Sequence, residues 1–244
     1  MWVGETQPTF GGLMNKSYDL SNHSVFIAIP AYRGYFPVET TLNLIELTGT
    51  LKGMGISTDL YVERENAIVN AARNSLVHHY LTESKADHLF FIDDDIIFPV
   101  DDFISVFALA TEYGVVSATY PSRKDKPTFF MRNPHEGAWE VNGDGLVKTI
   151  GTGLGFTCIK REIVQSLYDE SDWYIDHISG DKIKNIFRLE VKDGRFWGED
   201  MSFFQDLYDR GHYNWVYPLT SLKHQGKKDF DYRLIDHMKG LTNG

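Results

Sequence analysis

The chain has 244 residues, of which 42% are hydrophobic and 24% charged, a composition typical of a globular protein. Its formal net charge of −10 argues against a general binder of nucleic-acid backbone, although a nucleotide held through a metal ion is compatible with it. The single cysteine, Cys158, excludes an internal disulfide, and its apolar neighbours predict a buried structural thiol. The absence of a secretory signal and of an apolar run of about 20 residues predicts a cytoplasmic protein without a membrane span.

The first half of the chain alternates between strand-like and helix-like segments. We predict strands at residues 25–30, 58–62, 88–93 and 115–120, and helices at residues 37–51, 63–82 and 100–113. This order predicts an α/β fold with a mostly parallel central sheet and helices on both faces.

After residue 124 the predicted elements become shorter. The sequence Asn-Gly-Asp-Gly at 142–145 predicts a hairpin, residues 161–168 and 199–210 predict helices, and residues 215–217 and 221–224 predict strands. We therefore expect an N-terminal arm at 1–22, a single domain at 23–228 that divides into halves at 23–124 and 125–228, and a C-terminal tail at 229–244. The second half would form a smaller lobe on the same core.

Three consecutive carboxylates follow a fully apolar run. Residues 90–92 are Phe-Phe-Ile, and Asp93, Asp94 and Asp95 come directly after them. Carboxylates packed this closely repel one another unless a cation or a donor compensates their charge. A solvated acidic turn is the simpler interpretation, but the apolar flanks favour a divalent metal site at a strand end. If the strand alternation continues through the triplet, Asp93 and Asp95 face one site and Asp94 points elsewhere.

Other charged residues follow predicted strands of the same half. Arg33, Arg64 and the pair Arg123 and Lys124 each come after one of them. Ligands of such sheets bind beyond the carboxyl ends of the strands, so these residues are expected to converge with the carboxylates on one crevice.

The second half of the chain contains further candidate site residues, and each of them also has an ordinary structural explanation. His224 follows a predicted strand and would add an imidazole ligand to the metal, or it is an ordinary surface histidine. Glu199 and Asp200 open a helix, where carboxylates serve as caps or, alternatively, as a base for an incoming hydroxyl, with Trp197 as a platform for a sugar ring. Arg73 lies among small residues of its helix, which suggests anion or base recognition, with a plain surface charge as the alternative.

Taken together, these segments resemble the nucleotide-sugar-dependent glycosyltransferases of the GT-A fold, in particular family-two-like enzymes with a DxD motif. The resemblance covers residues 24 to about 226. The matching segments are, in chain order, residues 27–32, Arg64 with residues 72–74, residues 93–95, residues 151–153 with Lys160 and Arg161, residues 197–200 with Phe203, and residues 217–226.

The resemblance implies a role for each of these residues. Asp93 and Asp95 would hold Mn²⁺ or Mg²⁺ on the diphosphate of a UDP- or GDP-sugar, and His224 would complete the metal shell. Glu199 or Asp200 would act at the acceptor hydroxyl, with Asp200 as the base if the anomeric centre inverts. The expected donor-binding residues are Ala31, Tyr32, Arg33, Arg64, Arg73, Asp93 and Asp94. The expected acceptor- or sugar-binding residues are Trp197, Gly153 and Lys124.

The size and the missing anchor are similar to those of stand-alone transferases of phages, large viruses and bacteria, whose acceptors include glycans, glycoproteins and modified DNA bases. A viral enzyme of this kind would work in the host cytoplasm. Two other classes use related features. A sugar-nucleotide nucleotidyltransferase would need a Gly-rich phosphate loop after its first strand, where this chain has Pro-Ala-Tyr-Arg-Gly-Tyr. A non-enzymatic, metal-dependent carbohydrate-binding protein would account for the carboxylates and aromatic residues, but not for the order of strands and helices.

Overall fold

Sixteen strands and six helices follow one another in the computed structural model, which describes residues 16–226 and 229–242. Most of the predicted N-terminal arm, residues 1–15, and the lysines at 227 and 228 lie outside the described residues. The helices are α1 Val38–Gly53, α2 Val69–Glu83, α3 Val100–Tyr113, α4 Arg161–Glu170, α5 Glu199–Asp209 and α6 Leu234–Thr242. The strands are β1 Ser24–Ala31, β2 Ser57–Arg64, β3 His88–Ile92, β4 Ile96–Ile97, β5 Val115–Ser117, β6 Met131–Arg132, β7 Val147–Thr149, β8 Gly151–Thr152, β9 Phe156–Lys160, β10 Trp173–Ile175, β11 Lys182–Lys184, β12 Glu190–Lys192, β13 Arg195–Trp197, β14 Asn214–Val216, β15 Lys223–Gln225 and β16 Asp229–Asp231.

A seven-stranded sheet in the order β2-β1-β3-β9-β5-β14-β7 forms the centre of the fold. Strands β2, β1 and β3 pair in parallel, β9 runs antiparallel between β3 and β5, and β14 is parallel to β5 but antiparallel to β7. Five of the seven strands therefore share one direction, and their carboxyl ends meet at one edge. The predicted α/β fold with a mostly parallel sheet is confirmed.

Helices cover both faces of this sheet because its central strands are apolar on both sides. In β3, which is buried throughout, Phe90 and Ile92 pack with α1 and α3, whereas Leu89 and Phe91 pack with α2, α4 and α5. Successive side chains of a strand point to opposite faces, so one continuous apolar run builds both halves of the core. Cys158 of β9 is fully buried, as its neighbours in the sequence predict.

Several elements differ from the sequence-based prediction. The predicted helix at 63–82 begins only at Val69, because β2 pairs with β1 as far as Arg64 and Glu65 then takes a positive φ of 66°. The hairpin predicted at 142–145 is confirmed: Asn142 N–H donates to Leu146 C=O at 3.0 Å, and Val141 bridges Val147. Two further hairpins, β10–β11 and β12–β13, occupy a stretch in which polar composition hid the strands.

None of the helices within the described residues is long and apolar enough to cross a membrane.

Candidate active site

The three carboxylates form a turn rather than the end of a strand. Strand β3 ends at Ile92, Asp93 N–H donates to Gly155 C=O at 2.9 Å, and Ile96 N–H donates to Asp93 C=O at 3.1 Å. The expected alternation, with Asp94 pointing away from Asp93 and Asp95, was therefore wrong, because alternation holds only in extended backbone. We call Asp93, Asp94 and Asp95 the carboxylate turn.

This turn lines a crevice of about 620 Å³ beyond the carboxyl ends of β1 and β3. That volume lies in the range of pockets that bind ligands of nucleotide size, roughly 300–1,000 Å³. Among the expected site residues, the crevice brings together Tyr32, Arg33 and the carboxylate turn, with Arg123 beside them. Pro30, Tyr35, Asn66 and Gln225 are further lining residues.

The donor candidates Ala31 and Arg64 and the acceptor candidate Lys124 do not belong to the crevice lining. Ala31 is the buried last residue of β1 and pairs with Arg64 at the end of β2. The Arg64 side chain is exposed, as is Lys124 on the loop after β5. Within residues 16–226, neither Arg64 nor Lys124 belongs to the crevice lining.

Arg73 of α2 lies beneath the crevice with a side chain that is only 3% exposed. Its Nη2 donates to Asp93 Oδ1 at 2.7 Å, and its Nε lies 3.7 Å from Glu199 Oε1. The guanidinium also packs over the ring of Phe91, 5.2 Å from the centroid. Neither Nε nor Nη1 has a hydrogen-bond partner within the described residues, so this buried cation retains unused donors. Arg73 thus joins the carboxylate turn to the start of α5.

Tyr120 is a site residue that the sequence prediction missed. Its hydroxyl donates to Asp93 Oδ2 at 3.4 Å and accepts the Gly155 N–H at 3.3 Å. A Cβ at Gly155 would lie 2.4 Å from Asp93 Oδ2 and 2.6 Å from the Tyr120 hydroxyl. A Cβ at Gly153 would lie 2.7 Å from the same hydroxyl, so both glycines make room for Tyr120. Gly153 therefore lies against the Tyr120 hydroxyl rather than in the crevice lining.

His224 approaches the turn from the other half of the chain. Strand β15 pairs antiparallel with β4, which places His224 opposite Ile96, directly after the carboxylates. The Nδ1 atom of His224 lies 2.9 Å from Pro121 C=O, and its Nε2 lies 3.6 Å from Asp95 Oδ1. Since a carbonyl oxygen only accepts, His224 Nδ1 donates its hydrogen bond to Pro121 C=O, and Nε2 is the ring nitrogen that faces Asp95.

Asp95 and His224 together offer the oxygen and imidazole ligands that suit Mn²⁺, and Nε2 is the imidazole nitrogen that faces Asp95. Asp93 differs from them because its two oxygens are engaged by Arg73 and Tyr120. Asp95 is also paired with the exposed Arg123 guanidinium. The residues present therefore fit a divalent cation at Asp95 and His224, with Asp93 as a neighbouring negative charge.

The surroundings shift the pKa values of Asp94 and Asp95 in opposite directions. Burial and the charges of Asp95 and Asp93 raise the pKa of Asp94 to about 6. Burial acts in the same sense on Asp95, but hydrogen bonding to His224 and the charge of Arg123 outweigh it and lower the pKa of Asp95. In the carboxylate turn, the charge of Asp95 is therefore compensated by its neighbours, whereas Asp94 resists ionisation.

Glu199 and Asp200 lie in the first turn of α5, on the far side of Arg73. Asp200 Oδ1 accepts the Met201 N–H at 2.7 Å, and burial together with the charge of Glu199 raises the pKa of Asp200. Trp197 is half-buried just before this helix, and the guanidinium of Arg132 lies 5.0 Å from a ring centroid of Trp197. These residues form a second, mixed polar and aromatic surface next to the crevice.

No protein-family model matches the chain, and no curated protein matches it in sequence. Solved structures do resemble it. A197 from STIV aligns over 84% of this chain and 86% of its own length, with a TM-score of 0.55 and 20% identity. GalNAc-T7, crystallised with UDP, GalNAc and Mn²⁺, aligns over 83% of this chain and 43% of its own, with a TM-score of 0.50 and 10% identity.

The fold is of the GT-A type. A Drosophila β-1,4-galactosyltransferase 7, crystallised with manganese, UDP-Gal and xylobiose, aligns with a lower TM-score of 0.45 and 14% identity, over 80% of this chain and 64% of its own. The GT-A architecture agrees with the fold that the resemblance implies.

The raised pKa of Asp94 predicts a pH-dependent effect of Asp94→Asn on the metal-free protein. Asp94 resists ionisation in the fold, so it costs no stability while protonated and destabilises the fold as the pH rises through about 6. Asp94→Asn should therefore increase the free energy of unfolding by about 1–2 kcal/mol more at pH 8 than at pH 4, allowing for solvent screening. Urea denaturation in EDTA measures this difference. Asp101→Asn, at an exposed aspartate of α3, serves as the control, and equal effects of Asp94→Asn at both pH values would contradict the assignment.

Proposed function

We propose that the protein is a metal-dependent glycosyltransferase that moves a sugar from a nucleotide-sugar donor to an acceptor hydroxyl. The observation that carries this proposal is the meeting of Asp95 and His224 beside a nucleotide-sized crevice of a GT-A sheet. The two residues come from opposite halves of the chain, and the strand pairing of β4 with β15 holds them together. A surface histidine near an acidic turn would not need this arrangement.

The donor nucleotide is proposed to occupy the crevice that Tyr32, Arg33 and Asn66 line. The exposed Tyr32 ring offers a stacking surface for a base, and Asn66 offers amide groups for hydrogen bonds. Arg33 and Arg123 supply cationic guanidinium groups for the diphosphate. The Mn²⁺ and UDP in the GalNAc-T7 crystal, on a related fold, support a UDP-sugar as the donor and Mn²⁺ as the cation.

Asp95 and His224 would hold the divalent cation, Mn²⁺ or Mg²⁺. Bound there, the cation would act as a Lewis acid that stabilises the negative charge of the departing nucleoside diphosphate. The carboxylate turn by itself would repel a diphosphate, so donor binding is expected to require the cation. Arg73 and Tyr120 hold the Asp93 carboxylate. Asp93 would in turn fix the position of the carboxylate turn next to the donor.

Asp200 is the proposed base. As the acceptor oxygen bonds to the anomeric carbon and the bond from that carbon to the diphosphate breaks, Asp200 would take the proton of the acceptor hydroxyl. A raised pKa makes a carboxylate a better proton acceptor near neutral pH. Glu199, held by Arg73, is the proposed positioning residue for this end of α5.

The acceptor is proposed to be a glycan or a glycoprotein. The hairpin β12–β13, directly before α5, exposes the large apolar side chains of Val191 and Phe196, and the hairpin β10–β11 exposes Trp173. Trp173, Phe196 and Trp197 offer the aromatic faces on which sugar rings stack. A modified DNA base is less favoured by the net charge of −10, although Lys223 and Arg233 are exposed.

Asp95→Ala should reduce manganese-dependent release of UDP from UDP-sugars by about a hundredfold or more, because it removes a ligand of the cation that stabilises the leaving group. A coupled assay for the released nucleoside diphosphate, run across a panel of UDP- and GDP-sugars, measures this. Asp101→Ala removes an exposed aspartate of α3 and should keep full activity. Full activity in Asp95→Ala, or turnover without metal, would contradict the proposed site, and sugar binding without any turnover would favour a carbohydrate-binding protein.

Asp200→Asn should reduce transfer to the acceptor about 10²–10⁴-fold while donor binding stays unchanged, because the amide has no basic oxygen for the proton. Calorimetry with UDP and Mn²⁺ measures donor binding, and product formation on an oligosaccharide acceptor measures transfer. Asp209→Asn, at the other end of α5, is the matched control. Retained transfer in Asp200→Asn would remove its role as the base.

A further inference from the structure

A second group of potential ligands lies at the opposite edge of the sheet from the crevice. His23 precedes β1, and Asp87 and His88 lie at the start of β3, so these residues are near the amino ends of the strands. Their ligand-type atoms all lie within 4.8 Å of one another. In the described parts of the chain, no other group of three or more histidine, cysteine or carboxylate side chains has its ligand atoms within this distance of one another.

His88 is the most unusual member of the group. Its side chain is 2% exposed, and neither ring nitrogen has a hydrogen-bond partner in the described structure. Nδ1 lies 3.4 Å from Asp87 Oδ2 without making a hydrogen bond. Buried polar atoms in native proteins are nearly always satisfied, and an unsatisfied imidazole calls for an ion or a water molecule.

Asp87 is oriented so that one of its oxygens faces both imidazoles. Its Oδ1 accepts hydrogen bonds from the backbone N–H and the hydroxyl of Ser24, which fixes the carboxylate against the start of β1. Its Oδ2 lies 3.0 Å from His23 Nδ1 and 3.4 Å from His88 Nδ1. Hydrogen bonds of this kind, on the oxygen that does not coordinate, are what orients a carboxylate ligand at metal sites.

The surroundings hold both imidazole rings in place. Phe107 of α3 packs edge-on against His23 and His88, with ring centroids 6.5 and 5.2 Å away. The three ligands open into a cavity of about 440 Å³ that Lys160, Glu162 and Gln165 also line. Lys160 and Arg161 are the cationic lining residues of this cavity, and Glu162 and Asp87 are its carboxylates.

We propose that His23, Asp87 and His88 bind a transition-metal cation of the Zn²⁺ type. Two imidazoles and one carboxylate are a common three-residue set for zinc, with the fourth position left to water. The cation would replace the proton shared by His23 and Asp87 and would satisfy the buried His88. His23 lies before β1, and His88 begins β3. The bound cation would therefore link the segment that precedes β1 to the central strand β3. This proposal does not depend on the proposed transferase activity.

The test uses the full chain in an Asp95→Ala background, so that the crevice does not contribute to metal binding. The probes are Zn²⁺ in thermal denaturation and Co²⁺ in visible absorption, where tetrahedral coordination gives strong bands. The informative variant is His23→Asn, since His23 is partly exposed, at 29%, and asparagine keeps a donor towards Asp87. The matched control is His79→Asn, at a histidine 27% exposed and 3.3 Å from Glu83.

We expect one equivalent of Co²⁺ to bind with tetrahedral bands, and Zn²⁺ at a hundredfold excess over Kd to raise Tm by about 5–10 °C. Both responses should be kept in His79→Asn and lost in His23→Asn, with circular dichroism showing that each variant is folded. If His23→Asn is unstable, His23→Gln provides the same comparison. Absence of binding in the Asp95→Ala background, or undiminished binding in a folded His23 variant, would overturn the proposal.

Discussion

The ion pairs of the buried Arg73 guanidinium are the constraint on which the site depends. A charge taken out of water costs several kcal/mol, and it is tolerated only with well-placed partners. Arg73 has such partners on both sides, Asp93 at the end of β3 and Glu199 at the start of α5. The carboxylate turn and the start of α5 are therefore both ion-paired with the same guanidinium group, that of Arg73. Removing either carboxylate would leave a buried charge undercompensated, so the two halves of the site are fixed relative to each other.

The crevice lining carries three carboxylates against the guanidinium groups of Arg33 and Arg123, and Arg73 pairs with Asp93 from beneath. The Asp93 carboxylate pairs with Arg73, and the Asp95 carboxylate lies next to His224 and Arg123. Asp94, between them, resists ionisation. An anionic donor would not enter such a site alone. A divalent cation beside Asp95 would offset the repulsion between these carboxylates and the diphosphate of the donor. The electrostatics of the turn thus favour the joint binding of a metal and a diphosphate.

The sequence predicted the parts of this site that local patterns encode. The apolar run before the triplet, the charged residues after the strands and the order of strands and helices were enough to predict the α/β fold and a crevice at the strand ends. The role of Tyr120 was not predictable, because it depends on β9 inserting antiparallel between β3 and β5, which brings Gly155 against Asp93. The alternation assumed for the triplet failed because the chain turns there. The cluster of His23, Asp87 and His88 was equally hidden, since only the pairing of β1 with β3 brings position 23 next to position 88.

The central claim is that Asp95 and His224 hold a divalent cation on a nucleotide in the crevice. Anomalous diffraction at the manganese edge, from crystals grown with UDP and Mn²⁺, tests it directly. The account predicts a manganese peak in contact with the Asp95 carboxylate and His224 Nε2, with the diphosphate bound to the same ion and the base near Tyr32. Manganese bound away from both residues, or UDP bound outside the crevice, would contradict it.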